Sequence, residues 1–253
     1  MTVTVVSCYY QIKSKFSCKK YLEWIANFLS LGFKAVIFTD KKSVQLLNVK
    51  QLKNIKLVIV EFKDFLTSQF LWQADWKMDH ENNYHTIKLY KLWGEKIFFM
   101  QRAANLNFFD TTWYLWIDIG SFRSKNDISK IRKHKFPQAD KFVSGKITMA
   151  QIAPFSQREK CNIDIIDDRF KYVNRYGGLM GGDQTAINKF AKQYLRLLKQ
   201  FKSAKIFAGK DQTIYNYIAL QCPDLIDTVI AAKVHPKYDP WFCFHYYFST
   251  YKS

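Results

Sequence analysis

Apolar residues in this chain fall into two rhythms. Val3 to Cys8, Ala35 to Phe38, Ile55 to Phe62 and Trp113 to Ile117 are short, mostly apolar runs. Such runs predict strands buried on both faces, as in the middle of a mostly parallel sheet. Between them the spacing changes to three and four. Tyr21, Trp24, Ile25, Phe28 and Leu29 predict a helix over 21–31, which Gly32 ends. Ile87, Leu89, Tyr90, Trp93, Ile97 and Met100 predict a longer helix over 86–105 that leads into the Trp113 strand. Strand, helix, strand with tight joints is a βαβ opening.

The later half repeats these signals less regularly. Tyr176 to Gly182 holds Gly177, Gly178, Gly181 and Gly182 around an apolar pair, and Asp183 follows as a helix N-cap. Ile187, Phe190, Tyr194, Leu198 and Phe201 then form one apolar stripe, with Lys189, Lys192, Arg196 and Lys199 on the opposite face. Lys210-Asp211-Gln212-Thr213 opens another helix with Asp211 as its expected cap, and Pro223 closes it. Residues 65–84 lack a period and read as a loop or broken helix. Residues 125–146 form a basic stretch, 141–152 one strand or two short ones, and 154–174 irregular chain. The aromatic tail from Val234 to His245 is too apolar to fray and should pack on the body.

At 253 residues the chain can bury a substantial core as one α/β domain. Its net charge of +18 favours an anionic partner: a nucleotide, a nucleic acid or an acidic membrane surface. Aromatic and basic residues do not interleave in one patch, which makes nucleic acid the weakest of these. Five cysteines without a CxxC pair read as reduced thiols, mostly buried. Neither a signal peptide nor an apolar run near the ~20 residues of a membrane span is present. The expected location is cytoplasmic, with any membrane contact peripheral.

The chemistry concentrates where the Trp113 strand stops. Asp118 lies at its carboxyl end, where open α/β sheets bind ligands. Gly120 permits a sharp turn or close approach, and Ser121 and Arg123 add a hydroxyl and a cation. Asp118 is either a ligand-binding carboxylate or a turn cap. Asp40 ends the second strand on the same edge. The glycines of 177–182 fit neither GxGxxG nor a P-loop and read as bare backbone passed by a bulky ligand. His80 and His85 read as surface residues without partners at metal-ligand spacing. Asp164, Asp167 and Asp168 read as a charged surface loop.

The ordered set of Trp116-Ile-Asp-Ile-Gly-Ser-Phe-Arg123, Tyr176-Gly-Gly-Leu-Met-Gly-Gly182 and the later Lys-Asp211-Gln resembles glycosyltransferases of the GT-A type. More narrowly it resembles the HtrL/YibB family, associated with bacterial lipopolysaccharide-core loci. The resemblance implies a single GT-A-like domain over 1–253, with a nucleotide-binding half near 1–123 and an acceptor half near 124–253. It implies a nucleotide-sugar donor and a glycan or glycolipid acceptor. Asp40, Asp118, Gly120, Arg123, Gly178, Gly181, Gly182, Asp183 and Gln212 are the implied donor-binding residues, and Asp211 and Asp118 the catalytic ones. Asp211 is the implied general base or stabiliser of the sugar cation. In GT-A enzymes an Asp-x-Asp pair holds Mn²⁺ or Mg²⁺, but Gly120 stands at the second position. Either His245 joins Asp118 as a ligand, or Arg123 and lysines take the phosphate charge without metal. A non-catalytic member of the fold, binding nucleotide, glycan or nucleic acid, is the alternative to an enzyme.

Overall fold

The computed structural model describes residues 2–49, 52–235 and 238–250. In chain order the elements begin with β1 (Val3–Tyr9), α1 (Cys18–Leu29), β2 (Ala35–Thr39), β3 (Ile55–Ile59), α2 (Gln73–Met78) and α3 (Ile87–Leu106). They continue with β4 (Trp113–Trp116), α4 (Lys125–Arg132), β5 (Ile147–Gln151), α5 (Gln157–Lys160) and β6 (Tyr176–Asp183). The last are α6 (Gln184–Ser203), α7 (Asp211–Gln221), β7 (Ile226–Ile230), α8 (Ala231–Val234) and α9 (Phe244–Tyr247).

The strands form one sheet in the order β3-β2-β1-β4-β6-β5-β7. It is parallel throughout except at β6, which runs against both its neighbours. This is the single α/β domain with a mostly parallel sheet that the apolar runs predict. From β1 the chain steps outward to β2 and β3, then returns to β4 on the other side. Strand order therefore reverses between β1 and β4, and the carboxyl edge opens there.

Local chemistry fixes the helix ends. The Ser17 hydroxyl accepts from the Lys20 amide, so α1 begins three residues before the predicted start, and Gly32 follows it in the left-handed region at φ 74°. Thr86 caps α3 and Asp183 caps α6. Phe99 of α3 stacks on Phe38 at 4.5 Å and on Trp116 at 6.3 Å, which seats the helix across β2 and β4. The stripe Ile187, Phe190, Tyr194, Leu198 and Phe201 is fully buried. Removing each Phe or Leu of that stripe from water contributes about 1.5–3 kcal/mol.

Besides the short helices α5, α8 and α9, two elements lie outside the predicted set. The basic stretch contains α4, capped by Ser124, with Ile128 and Ile131 turned inward. Beyond Pro223 comes β7, an edge strand in which only Ile226 and Val229 are buried. Cysteine burial also differs from the expectation: Cys243 is buried, Cys8 and Cys222 are half-buried, and Cys18 and Cys161 are exposed thiols. Among the described residues no helix is long and apolar enough to cross a membrane.

Candidate active site

Val6 of β1 pairs with Trp116, the last residue of β4, and β1 runs on to Tyr9, so the two strands end on the same edge three residues apart. The Trp116 indole N–H donates to Asp118 Oδ1 at 2.8 Å, which fixes the carboxylate just past its strand. β6 runs antiparallel to β4 with Trp116 opposite Met180. Two residues further along that register, Gly178 comes opposite Asp118. From behind, Lys96 of α3 brings its ammonium to 3.4 Å from Asp118 Oδ1 and 3.1 Å from Asp211 Oδ2. A Cβ on Gly178 would stand 2.9 Å from that ammonium nitrogen, so glycine is required for the approach.

Burial disfavours the Lys96 charge, but Asp118 and Asp211 outweigh it and hold the ammonium above the ordinary lysine range. Asp211 has no exposed side chain, and burial lifts its carboxyl above the usual range against the pull of Lys96. Its Oδ2 meets Lys96 as an ion pair without a well-aligned hydrogen bond. Asp118 differs, with 46% of its side chain exposed. Among the described residues nothing donates to its Oδ2.

Above this triad lies a cavity of about 560 Å³. Its walls are the β1–α1 loop from Tyr9 to Phe16, and the α3 face carrying Leu89, Trp93 and Lys96. Asp118, Arg123, Gly178, Gln212, Trp241 and Phe242 complete it. The Arg123 guanidinium lies 5.3 Å from the Phe16 ring, 4.6 Å from Trp24 and 4.9 Å from Phe242. Its Nε–H donates to the Gly120 carbonyl at 3.2 Å. Three rings and one bond thus hold a planar cation at the cavity wall, a geometry suited to phosphate.

The family described as "Bacterial protein of unknown function (HtrL_YibB)" matches residues 50–246. The chain belongs to the HtrL_YibB family. The span matched to HtrL_YibB includes Lys96, Asp118, Gly178 and Asp211 but not the β1–α1 loop. Two solved structures are similar to this HtrL_YibB chain. Mouse xyloside xylosyltransferase 1, in its apo form, gives a TM-score of 0.45 at 9% identity, covering 97% of this chain and 94% of that one. The 4-diphosphocytidyl-2C-methyl-D-erythritol synthase of Anaerococcus prevotii gives 0.45 at 10%, covering 90% and 88%. No curated protein matches. The HtrL_YibB description assigns no activity, so function has to be read from the site.

The structure brings together Asp118, Arg123, Gly178 and Gln212 on the cavity, with Asp211 directly behind. It does not bring the other expected residues there. Asp40 shares the sheet edge, but its carboxylate accepts from the Ser43 amide at 2.6 Å and does not line the cavity. Because β6 is antiparallel, Gly181, Gly182 and Asp183 run away from the carboxyl edge, level with Leu115, Tyr114 and Trp113. A Cβ on Gly181 would meet Phe142 at 2.6 Å, and one on Gly182 the Lys146 carbonyl at 2.8 Å; both glycines serve close packing. Gly120 is buried against Tyr21 and Trp24 and acts through the turn that places Arg123. The N-cap of α7 is Lys210, not Asp211, whose carboxylate turns inward to Lys96. Asp211 is fully buried, its carboxylate 3.1 Å from the Lys96 ammonium.

A divalent cation at Asp118 needs several oxygen or nitrogen ligands at about 2.0–2.6 Å, and these residues do not form that cradle. Gly120 offers none. His245 is fully buried, its Nε2 at 3.0 Å from the Ser121 hydroxyl and its Nδ1 at 3.0 Å from the Tyr238 hydroxyl. Both ring nitrogens are thus engaged away from Asp118. The cation between Asp118 and Asp211 is Lys96.

Lys96 goes unremarked in the sequence, and His85 reads there as a surface residue. The signal for Lys96 was the pair Glu95-Lys96 inside the apolar run of α3; both are buried, Glu95 accepting from the Leu66 and Thr67 amides. His80 is exposed as expected, whereas His85 is buried against Asp79.

Proposed function

We propose that this chain transfers a glycosyl group from a nucleotide-sugar donor to a hydroxyl of a glycan or glycolipid. The observation that carries the reading is the fixed Lys96 ammonium between Asp118 and Asp211, directly under a cavity at the reversal of strand order. Departure of a nucleoside diphosphate needs positive charge on the phosphate side and negative charge near the developing sugar cation. Arg123, with Lys13 of the cavity wall, supplies the first. The free oxygen of Asp118 supplies the second, while Lys96 keeps that carboxylate oriented. The resemblance of Trp116 to Arg123 to GT-A sequences supports the same assignment. No step in this reading passes through a metal ion.

An acidic-lipid location for a glycolipid acceptor is supported by the outer face of α6, where Lys189, Lys192, Arg196 and Lys199 are all exposed. The test of the reading is release of free nucleoside diphosphate from a panel of UDP-, GDP- and dTDP-sugars, in EDTA and in Mn²⁺. Release from one donor at equal rates in both conditions is expected. Binding of UDP or GDP without release from any donor would favour a non-catalytic binding protein. No binding and no release would end the assignment.

A further inference from the structure

The cavity contains a second charged cluster, independent of the Lys96 triad. Asp79 is buried and fully engaged. Its Oδ1 accepts from the Glu81 amide at 2.9 Å, and its Oδ2 accepts from the Tyr90 hydroxyl at 2.8 Å and lies 2.7 Å from His85 Nδ1. An ionised carboxylate only accepts, so Nδ1 carries a proton, and in the neutral ring Nε2 holds the lone pair. Bonds from His85, Glu81 and Tyr90 keep Asp79 below the usual carboxylate range despite its burial. His85 lines the cavity, its ring edge-on to Trp93 at 4.9 Å. Trp93 lies on the same α3 face as Lys96, one turn away. Glu81 Oε2 lies 4.0 Å from Nε2, beyond hydrogen-bond reach, and Glu81 is itself committed to Lys15 at 2.9 Å and Lys210 at 2.7 Å.

Resting on the glycosyl-transfer reading, we infer that His85, oriented by Asp79, is the base that takes the acceptor's proton. Asp211 is buried behind Gly178, and the free Oδ2 of Asp118 is the oxygen assigned to the developing sugar cation, which leaves the His85 ring nitrogen for the acceptor's proton. The step balances simply. The acceptor O–H proton passes to His85 Nε2, and the oxygen's electron pair forms the new bond to the anomeric carbon. The bond from that carbon to the diphosphate oxygen breaks, its pair leaving with the nucleoside diphosphate. Asp79 acts through His85 as a positioning residue, holding the tautomer and stabilising the imidazolium. Asp79, Glu81 and His85 also lie close enough to hold a metal ion, but Lys15 and Lys210 already occupy Glu81.

The test uses the full chain with water as the acceptor, following nucleoside diphosphate release between pH 5 and 9. Wild type should show an acid limb, where the base is already protonated and can take no proton from the acceptor. His85→Gln should lose roughly 100-fold or more in rate, and the limb with it. His85→Ala should recover part of the rate with added imidazole, which a merely structural histidine would not allow. Asp79→Asn should shift the limb. A His85→Gln rate and limb equal to wild type, or a loss without imidazole rescue and with the limb unchanged, overturns the base assignment and leaves glycosyl transfer standing. Wild type that releases nothing from any donor overturns both. Should the variants fail a near-ultraviolet circular dichroism check, carbethoxylation of wild type decides. Release lost in step with label on His85 supports the assignment; full label on His85 with release intact overturns it.

Discussion

Lys96 cannot be exchanged alone, because its removal leaves Asp211 as an uncompensated buried charge. Breaking such a pair costs ~3–5 kcal/mol, whereas removing both partners is close to neutral. Lys96→Met should therefore lower the melting temperature sharply, and Lys96→Met with Asp211→Asn should restore most of it. Diphosphate release should stay low in both, since the orientation of Asp118 is lost. A double variant as unstable as the single one would show that Lys96 acts through packing instead. His245 makes a second claim at this scale. Burial pushes it down to about 3, while in the unfolded chain it titrates near ~6.5. Between those values the unfolded chain binds more protons, so stability falls as pH drops through 6.5, by at most ~1.4 kcal/mol per unit. Urea midpoints at pH 7, 6 and 5 should slope more steeply for wild type than for His245→Gln. Equal slopes would place the acid sensitivity elsewhere.

Among elements, β6 separates two uses of glycine along one strand. Gly178→Ala would press on the flexible end of Lys96, so release should fall while stability changes little. Gly181→Ala would press on the Phe142 ring and the Tyr114 carbonyl at 2.9 Å, costing about 1–3 kcal/mol in stability. Its release per folded molecule should hold. Thermal melts and rates on the same samples check both. The sequence could not separate these glycines, because their roles depend on strand direction. Apolar runs made β1, β2, β3 and β4 legible, and periodicity made α1, α3 and α6 legible. Neither reports whether β6 runs with or against β4. The short β7 escaped because only Ile226 and Val229 are buried in it, a spacing of three that shows no strand alternation. At the site, Asp118 and Arg123 were readable from the strand end beside them. Lys96 was not, since it meets Asp118 across 22 residues, and the Asp79–His85 pair was not, since the aperiodic chain around it gives no sign that two residues six apart fold together.

Taken as a whole, the molecule sets three of its seven tryptophans at its cation-bearing cavity. Trp93 and Trp241 face the cavity, and Trp24 lies under the Arg123 guanidinium. Indole emission responds to the charge and polarity beside the ring, so this arrangement makes the cavity an optical sensor of its own occupancy. An anion that draws Arg123 away from Trp24 removes a positive charge from that ring's face and changes its emission. Titrating UDP into the unlabelled protein should give a saturable change in tryptophan fluorescence, and Arg123→Ala should abolish it. A saturable signal unchanged in Arg123→Ala would place the anion on another wall. The same rings that pin the guanidinium thus allow ligand screening before any donor sugar is known, with neither dye nor coupled enzyme.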